Sequence, residues 1–275
     1  MSKPIKPLTN EQLKAKAPSL FQDQPYHEVS SKYHFIATIE IIEQLRSENW
    51  YPVTVNEAGV KNIEKDGFQQ HYVRFQHFSD LINPTSNVVE LLLFNSHDRS
   101  KCFTISAGIY RYVCSNGLVI ADSVFESYKI KHLGERENDV IDAVSKITQV
   151  KPKLLDKISK FESITLNQNE KESFLKSAIP LRFDEHLELD NPNELLKPLR
   201  NEDKKDDLYT VLNILQENFL SSKVSGYNKE TNRRFTSKQI TSISKDVEIN
   251  KGLWDIAERI ASIKNDSYES PLIAA

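Results

Sequence analysis

Glycine is scarce, with seven residues in a chain of 275. G-x-G-x-x-G and G-x-x-x-x-G-K-[ST] loops need closely spaced glycines so that backbone can wrap a phosphate, and neither pattern occurs. Cysteine is scarcer still: Cys102 and Cys114 are the only two. Two thiols make no disulfide framework, and His97, Cys102 and Cys114 together leave a structural zinc site one ligand short, with no C-x-x-C knuckle. No apolar run approaches the roughly 18 residues that span a bilayer. The opening MSKPIKPLTNEQLK lacks the apolar core of an export signal, so the expected setting is the reducing cytoplasm, with no membrane contact. A surplus of positive charge is missing as well: 36 Lys and Arg face 39 Asp and Glu, a net charge of −3. Nucleic-acid-binding domains are usually basic overall, so a role of that kind has to rest on a local patch.

What remains is a globular composition, with 39% hydrophobic residues supporting a real core. The expected fold class is α+β: an antiparallel β-meander with one helix before it and a helical C-terminal half packed on it. Residues 1–30 read as an irregular arm punctuated by Pro4, Pro7, Pro18 and Pro25, with one short helix near 10–16. Residues 31–165 read as the sheet core. Its first helix covers about 38–48, with Ile39, Ile42 and Leu45 on one stripe and Thr38 as N-cap. Strands follow at YPVTV, HYVRFQHF, VVELLLFN and CFTISAGIYRYV. The third is apolar almost throughout and so buried on both faces; the fourth alternates Phe103, Ile105, Ala107 and Ile109 with smaller polar or slim residues. Asn116-Gly117 between two apolar runs predicts a two-residue hairpin turn, and GLVIADS and SYKIKHL supply the last strands.

Residues 166–275 read as the helical region. Before it, Val140, Val144 and Ile147 mark one helix, and Leu154, Leu155, Ile158 and Phe161 the next, with Pro152 near its start. Another passes through Phe174, and residues 180–207 read as a connector rich in Pro, Asn and charge. Leu208, Val211, Leu212, Leu215 and Phe219 make an amphipathic helix, and Leu253, Ile256, Ile260 and Ile263 a last stripe. Between them, 221–245 reads as a loop.

Catalytic and cofactor-binding patterns do not emerge. His97-Asp98 is the HD dipeptide of some metal-dependent phosphohydrolases, but those sites need further His and Asp ligands, and Asp in SHDRS is expected as a turn former. No G-x-S-x-G elbow exists. Cys102, on the Thr104/Ser106 side of its strand, reads as a small buried hydrophobe. The stronger signal is basic. KVSGYNKETNRRFTSKQITSISK (residues 223–245) carries Lys223, Lys229, Arg233, Arg234, Lys238 and Lys245 against Glu230 alone, a local charge of +5. Tyr227 and Phe235 are interleaved, and cations for phosphates with aromatic faces for bases make a single-strand-binding composition. A second cluster, Lys129, Lys131, His132 and Arg136, closes the strand region.

Three stretches carry a resemblance: LTNEQLKAKAPSLF, NSHDRSKCFTISAGIYRYVCSNGLVIAD, and DLYTVLNILQENF with NRRFTSKQITSISKDVEINKGLWDIAE. They resemble the phage- and plasmid-related domain-of-unknown-function family 932 over nearly the whole chain, which implies a mobile-element setting and assigns no activity. The order of elements beginning IIEQLRSENWYPVTV, a helix into a Trp-bearing strand and then a meander, is similar to the core of Rad-fifty-two-like single-strand annealing proteins. That likeness implies a basic groove and a ring or filament of identical subunits.

The leading expectation is therefore a non-enzymatic single-stranded DNA binding or annealing protein of a mobile element, without metal or cofactor, acting as a homo-oligomer. Lys129, Lys131, Arg136, Lys229, Arg233, Arg234 and Lys238 would hold phosphates, Tyr227 or Phe235 would stack bases, and Arg74 and Arg111 are secondary candidates. The first alternative is a protein-interaction module such as an anti-defence factor. The second is a metal-dependent nuclease or hydrolase using His97 and Asp98.

Overall fold

The fold is taken from a computed structural model that describes residues 5–29, 35–60, 62–111, 116–119, 128–130 and 137–269. Of residues 116–119, 128–130, 137–141, 143, 147, 150 and 265–269 it describes the backbone only. The chain forms two compact units, Met1–Pro152 and Lys153–Ala275.

Unit one is α+β. α1 (Asn10–Lys16) starts from a capping box, in which Thr9 accepts from Gln12 N and Gln12 answers the Thr9 N–H. A 3-10 turn at Pro18–Phe21 follows. Leu13, Ala17 and Leu20 are fully buried, so this part of the expected irregular arm is an integral layer. Leu8 N donates to Pro52 O at 2.7 Å, and Tyr26 N to His97 O at 3.0 Å.

α2 (Thr38–Ser47) buries Ile41, Ile42 and Leu45. Ala37 holds the N-cap position with no side-chain cap bond, which corrects the expectation for Thr38. The Thr38 hydroxyl turns inward instead, to His71 and Asn95. β1 (Trp50–Glu57), β2 (His71–His77), β3 (Asn87–Asn95) and β4 (Phe103–Arg111) form an antiparallel meander, with a one-turn helix α3 (Phe78–Ile82) between β2 and β3. Every residue of β3 is buried, Glu90 among them, as its nearly continuous apolar run leads one to expect.

β5 (Asn116–Val119) and β6 (Tyr128–Ile130) both pair with β4, so the last strand leaves the simple meander. Asn116 faces Arg111 and Gly117 faces Tyr110. The expected Asn-Gly turn is therefore inside the ladder; sheet register has overridden local turn preference. The connection, residues 112–115, lies outside the described residues and includes Cys114. Cys102 is exposed and precedes β4, which corrects the reading of it as a buried hydrophobe on that strand.

α4 (Glu137–Ser163) is one helix of 27 residues with Pro152 inside it, where two helices were expected. Proline removes one donor and crowds the preceding turn, yet tertiary context tolerates that here. Unit two is built around α6 (Leu208–Ser221), which follows α5 (Gln168–Ala178) and the short strand β7 (Leu187–Leu189). Asp207 caps α6 by accepting from Thr210 N at 2.8 Å. Nearly every residue of α6 is buried, including Asn213, Gln216 and Asn218. The 221–245 segment is not a loop: β8 (Ser225–Asn228) and β9 (Arg233–Thr236) make a hairpin that pairs with β7. α7 (Ile243–Glu269) completes the unit and packs Trp254 on Phe161, ring centroids 5.1 Å apart. No helix among the described residues is long and apolar enough to cross a membrane.

Candidate nucleic-acid interface

The hairpin is set by short-range bonds. Asn228 Oδ1 accepts from Glu230 N at 3.0 Å and from Thr231 N at 2.9 Å, a side-chain mimic of a backbone turn. Asn232 takes φ of +52°, a left-handed value that asparagine accepts more readily than most residues. Tyr227 Oη donates to Asn232 Oδ1 at 2.7 Å and fixes the ring beside the turn. At the base, the Arg182 guanidinium donates to Asn218 O, Ser222 O, Ser237 Oγ and Lys238 O, between 2.8 and 3.1 Å. Two of these carbonyls, Ser222 and Lys238, flank the hairpin on either side. Burial pushes the Arg182 pKa down from its ordinary value, though a guanidinium stays charged.

Strand alternation sorts the side chains. Glu188 faces Tyr227, which faces Arg234; Leu189 faces Gly226, which faces Phe235. The first set lies on the outer face with Ser225 and Thr236, whose hydroxyls are 3.1 Å apart. The second lies on the inner face with buried Leu189. A Cβ on Gly226 would stand 2.2 Å from Glu188 O and 2.8 Å from the Phe235 ring, so only glycine lets the strands and that ring close up.

Phe235 is thus a half-buried lid on Gly226, on the opposite side of the hairpin from Tyr227. Tyr227, the other stacking candidate, lies on the same side as Arg234. Lys229 reaches this side as well, with Nζ 3.4 Å from Glu188 Oε2. Arg234 Nη2 lies 2.5 Å from Asp190 Oδ2. Arg233, Lys223 and Lys238 are exposed, and Lys245 pairs with Glu248 at 2.8 Å. Counted with Glu188 and Asp190, the six cations and Glu230 of residues 223–245 carry a net +3 where the linear segment promised +5. The two neutralising acids come from a stretch read as connector.

The remaining candidates fall elsewhere. Arg74 is buried in β2 and pairs through Nε with Glu90 in β3, which also accepts from Gln76 Nε2 at 2.9 Å. Arg111 is also buried, at the end of β4 opposite Asn87 and Asn116. Both are corrected from surface phosphate contacts to interior groups; for Arg74 the missed signal was a lone glutamate in an apolar strand, which needs a buried cation nearby. Lys129 lies in β6 opposite Thr104, with its side chain outside the described residues, as are Lys131, His132 and Arg136 altogether.

His97 is fully buried, its Nε2 3.4 Å from Thr38 Oγ1. Asp98 turns to Ser100 N at 2.9 Å and to Lys65 at 3.5 Å. No group of three or more His, Cys, Asp or Glu able to hold a metal ion exists among the described residues. His97 belongs instead to a buried cluster with His71, whose Nδ1 is 2.7 Å from Ser19 Oγ and Nε2 2.9 Å from Thr38 Oγ1.

Comparison with known proteins agrees on one affiliation. Two relatives from Escherichia coli (strain K12), UPF0380 protein YfjQ and UPF0380 protein YafZ, are each 28% identical over 255 residues, covering 93% of this chain and 92% of theirs. No solved structure matches the chain. The family model described as Domain of unknown function (DUF932) matches residues 25–254, from within the N-terminal layer through both units to α7, and the chain belongs to that family.

Proposed function

We propose that the protein binds single-stranded DNA without strong sequence preference, through the outward face of the β8–β9 hairpin, and serves strand annealing or recombination of a mobile element. The observation that carries this reading is the gathering of Tyr227, Lys229 and Arg234 on one exposed side of a small sheet, while exposed Arg233 stands one residue along β9. A base stacks on any aromatic face, and phosphates need cations rather than a shaped pocket. The binding chemistry calls for no metal or nucleotide cofactor.

The test is a salt titration of binding to a fluorescent oligothymidylate. The slope of log affinity against log salt should be negative for the wild type, and Arg233→Ala/Arg234→Ala should flatten it by about 1–2 units. Absence of oligonucleotide binding at about 50 mM salt, where phosphate contacts are strongest, contradicts the proposal.

A further inference from the structure

The face that carries Tyr227, Lys229 and Arg234 also carries two carboxylates, and their placement has a chemical meaning. Glu188 stands directly across from Tyr227 in the β7–β8 ladder and holds Lys229; Asp190, just past β7, holds Arg234. All four side chains are well exposed: Lys229 and Glu188 at 56% and 65%, Arg234 and Asp190 at 68% and 44%. Water competes with pairs this exposed, and such pairs hold weakly, so another anion can replace either carboxylate at small cost. By contrast, the buried Arg74–Glu90 pair, 7% and 1% exposed, is not exchangeable.

We infer that Glu188 and Asp190 are specificity-determining residues of the hairpin face, acting as built-in competitors of the nucleic-acid backbone. The inference rests on the reading of that face as a single-strand site. In the free protein the two carboxylates occupy Lys229 and Arg234. A ligand with one phosphate displaces at most one of them and is left beside the other negative charge. A strand with successive phosphates displaces both and holds Lys229 and Arg234 together. The face therefore selects an extended phosphodiester backbone over isolated anions. Each displaced carboxylate takes up a cation from solution, which offsets part of the cation release from the DNA and makes the salt dependence shallower than the number of protein cations suggests.

The experiment compares the full-length wild type with Glu188→Gln/Asp190→Asn for binding to fluorescent oligothymidylate across a salt series, with circular dichroism as a control for folding. The amides keep size and polarity and remove the competition. Affinity should rise about three- to tenfold at about 50 mM salt, and the salt slope should steepen. If the wild type binds and the double variant binds no better, the inference is overturned while the hairpin reading stands. If neither protein binds the oligonucleotide, the hairpin reading itself fails and the inference falls with it.

Discussion

Replacing Glu90 with alanine should lower the unfolding free energy by about 3–5 kcal/mol, the cost of breaking a buried ion pair from one side. Glu90 is fully buried in β3 and accepts from Arg74 and Gln76 on β2. Register explains the grouping. Gln76 lies directly opposite Glu90, and Arg74 is opposite Leu92, two residues along, which is within diagonal reach on one face. Truncating Glu90 removes the carboxylate to which the Arg74 guanidinium, at 6% exposure, donates. The pair is not required for stability in itself, because its charges were dehydrated on folding. An apolar replacement of all three, Arg74→Leu/Gln76→Val/Glu90→Leu, should recover most of what Glu90→Ala loses. Urea unfolding at neutral pH measures both. A loss below about 1 kcal/mol for Glu90→Ala, the range of a surface pair, contradicts this account of the sheet.

Acid should weaken the protein in a way that traces to His71. The ring is fully enclosed between Ser19 and Thr38, with His97 beside it. Burial first, and then the charge of His97, push its pKa down from 6.5 to about 3. The sign follows from linkage. Below pH 6.5 the unfolded chain takes a proton at this position and the folded chain does not, so protons favour unfolding. The contribution is complete above pH 6.5 and is lost as pH falls toward 3, at up to about 1.4 kcal/mol per pH unit and on the order of 5 kcal/mol in all. Urea midpoints should therefore fall more steeply between pH 6.5 and 4 for the wild type than for His71→Gln, which retains a hydrogen-bonding side chain but does not titrate. Parallel pH profiles for the two proteins contradict the assignment. Because Ser19 and Thr38 tie the N-terminal layer and α2 to β2, the same loss should loosen those segments first, seen as faster amide exchange at residues 19–20 and 38–42.

Much of the first unit can be read from pattern. α1 follows from its capping box, and β1 to β4 follow from runs whose period-2 or uniformly apolar character leaves little alternative. Where reading failed, a distant partner had decided the outcome. Thr38 looks like a cap, but its hydroxyl is held by His71 and Asn95, which come from other strands. Asn116-Gly117 looks like a turn, but the β4 register absorbs it. Pro152 looks like a boundary, but the helix continues through it. The hairpin was the largest omission. Its strands have four residues each, and its turn, Lys229 to Asn232, contains no glycine, so only Asn228 and Asn232 announce it. β7 is three residues inside a segment rich in proline and charge, a strand only because β8 pairs with it.

The candidate site was legible as composition and not as geometry. Cations and aromatics between residues 223 and 245 could be counted, but which face each occupies depends on alternation within a hairpin that was not foreseen. Alternation separates Tyr227 from Phe235, and pairing with β7 puts Glu188 and Asp190 beside the cations, so a segment of charge +5 becomes a cluster of +3. The same dependence on neighbours explains Arg74: in sequence it is a cation in a strand, and only the adjacent β3 reveals that Glu90 has claimed it.

In the proposed complex, single-stranded DNA lies on the outer face of the β8–β9 hairpin. Photocrosslinking of the full-length protein to an oligonucleotide carrying 4-thiothymidine, with mass-spectrometric mapping of the adducts, tests it most directly. Adducts should concentrate in the peptide from Lys223 to Lys238, centred on Tyr227, and should largely disappear in Tyr227→Ala while that variant stays folded. Efficient crosslinks that map elsewhere and leave this peptide unmodified would contradict the account.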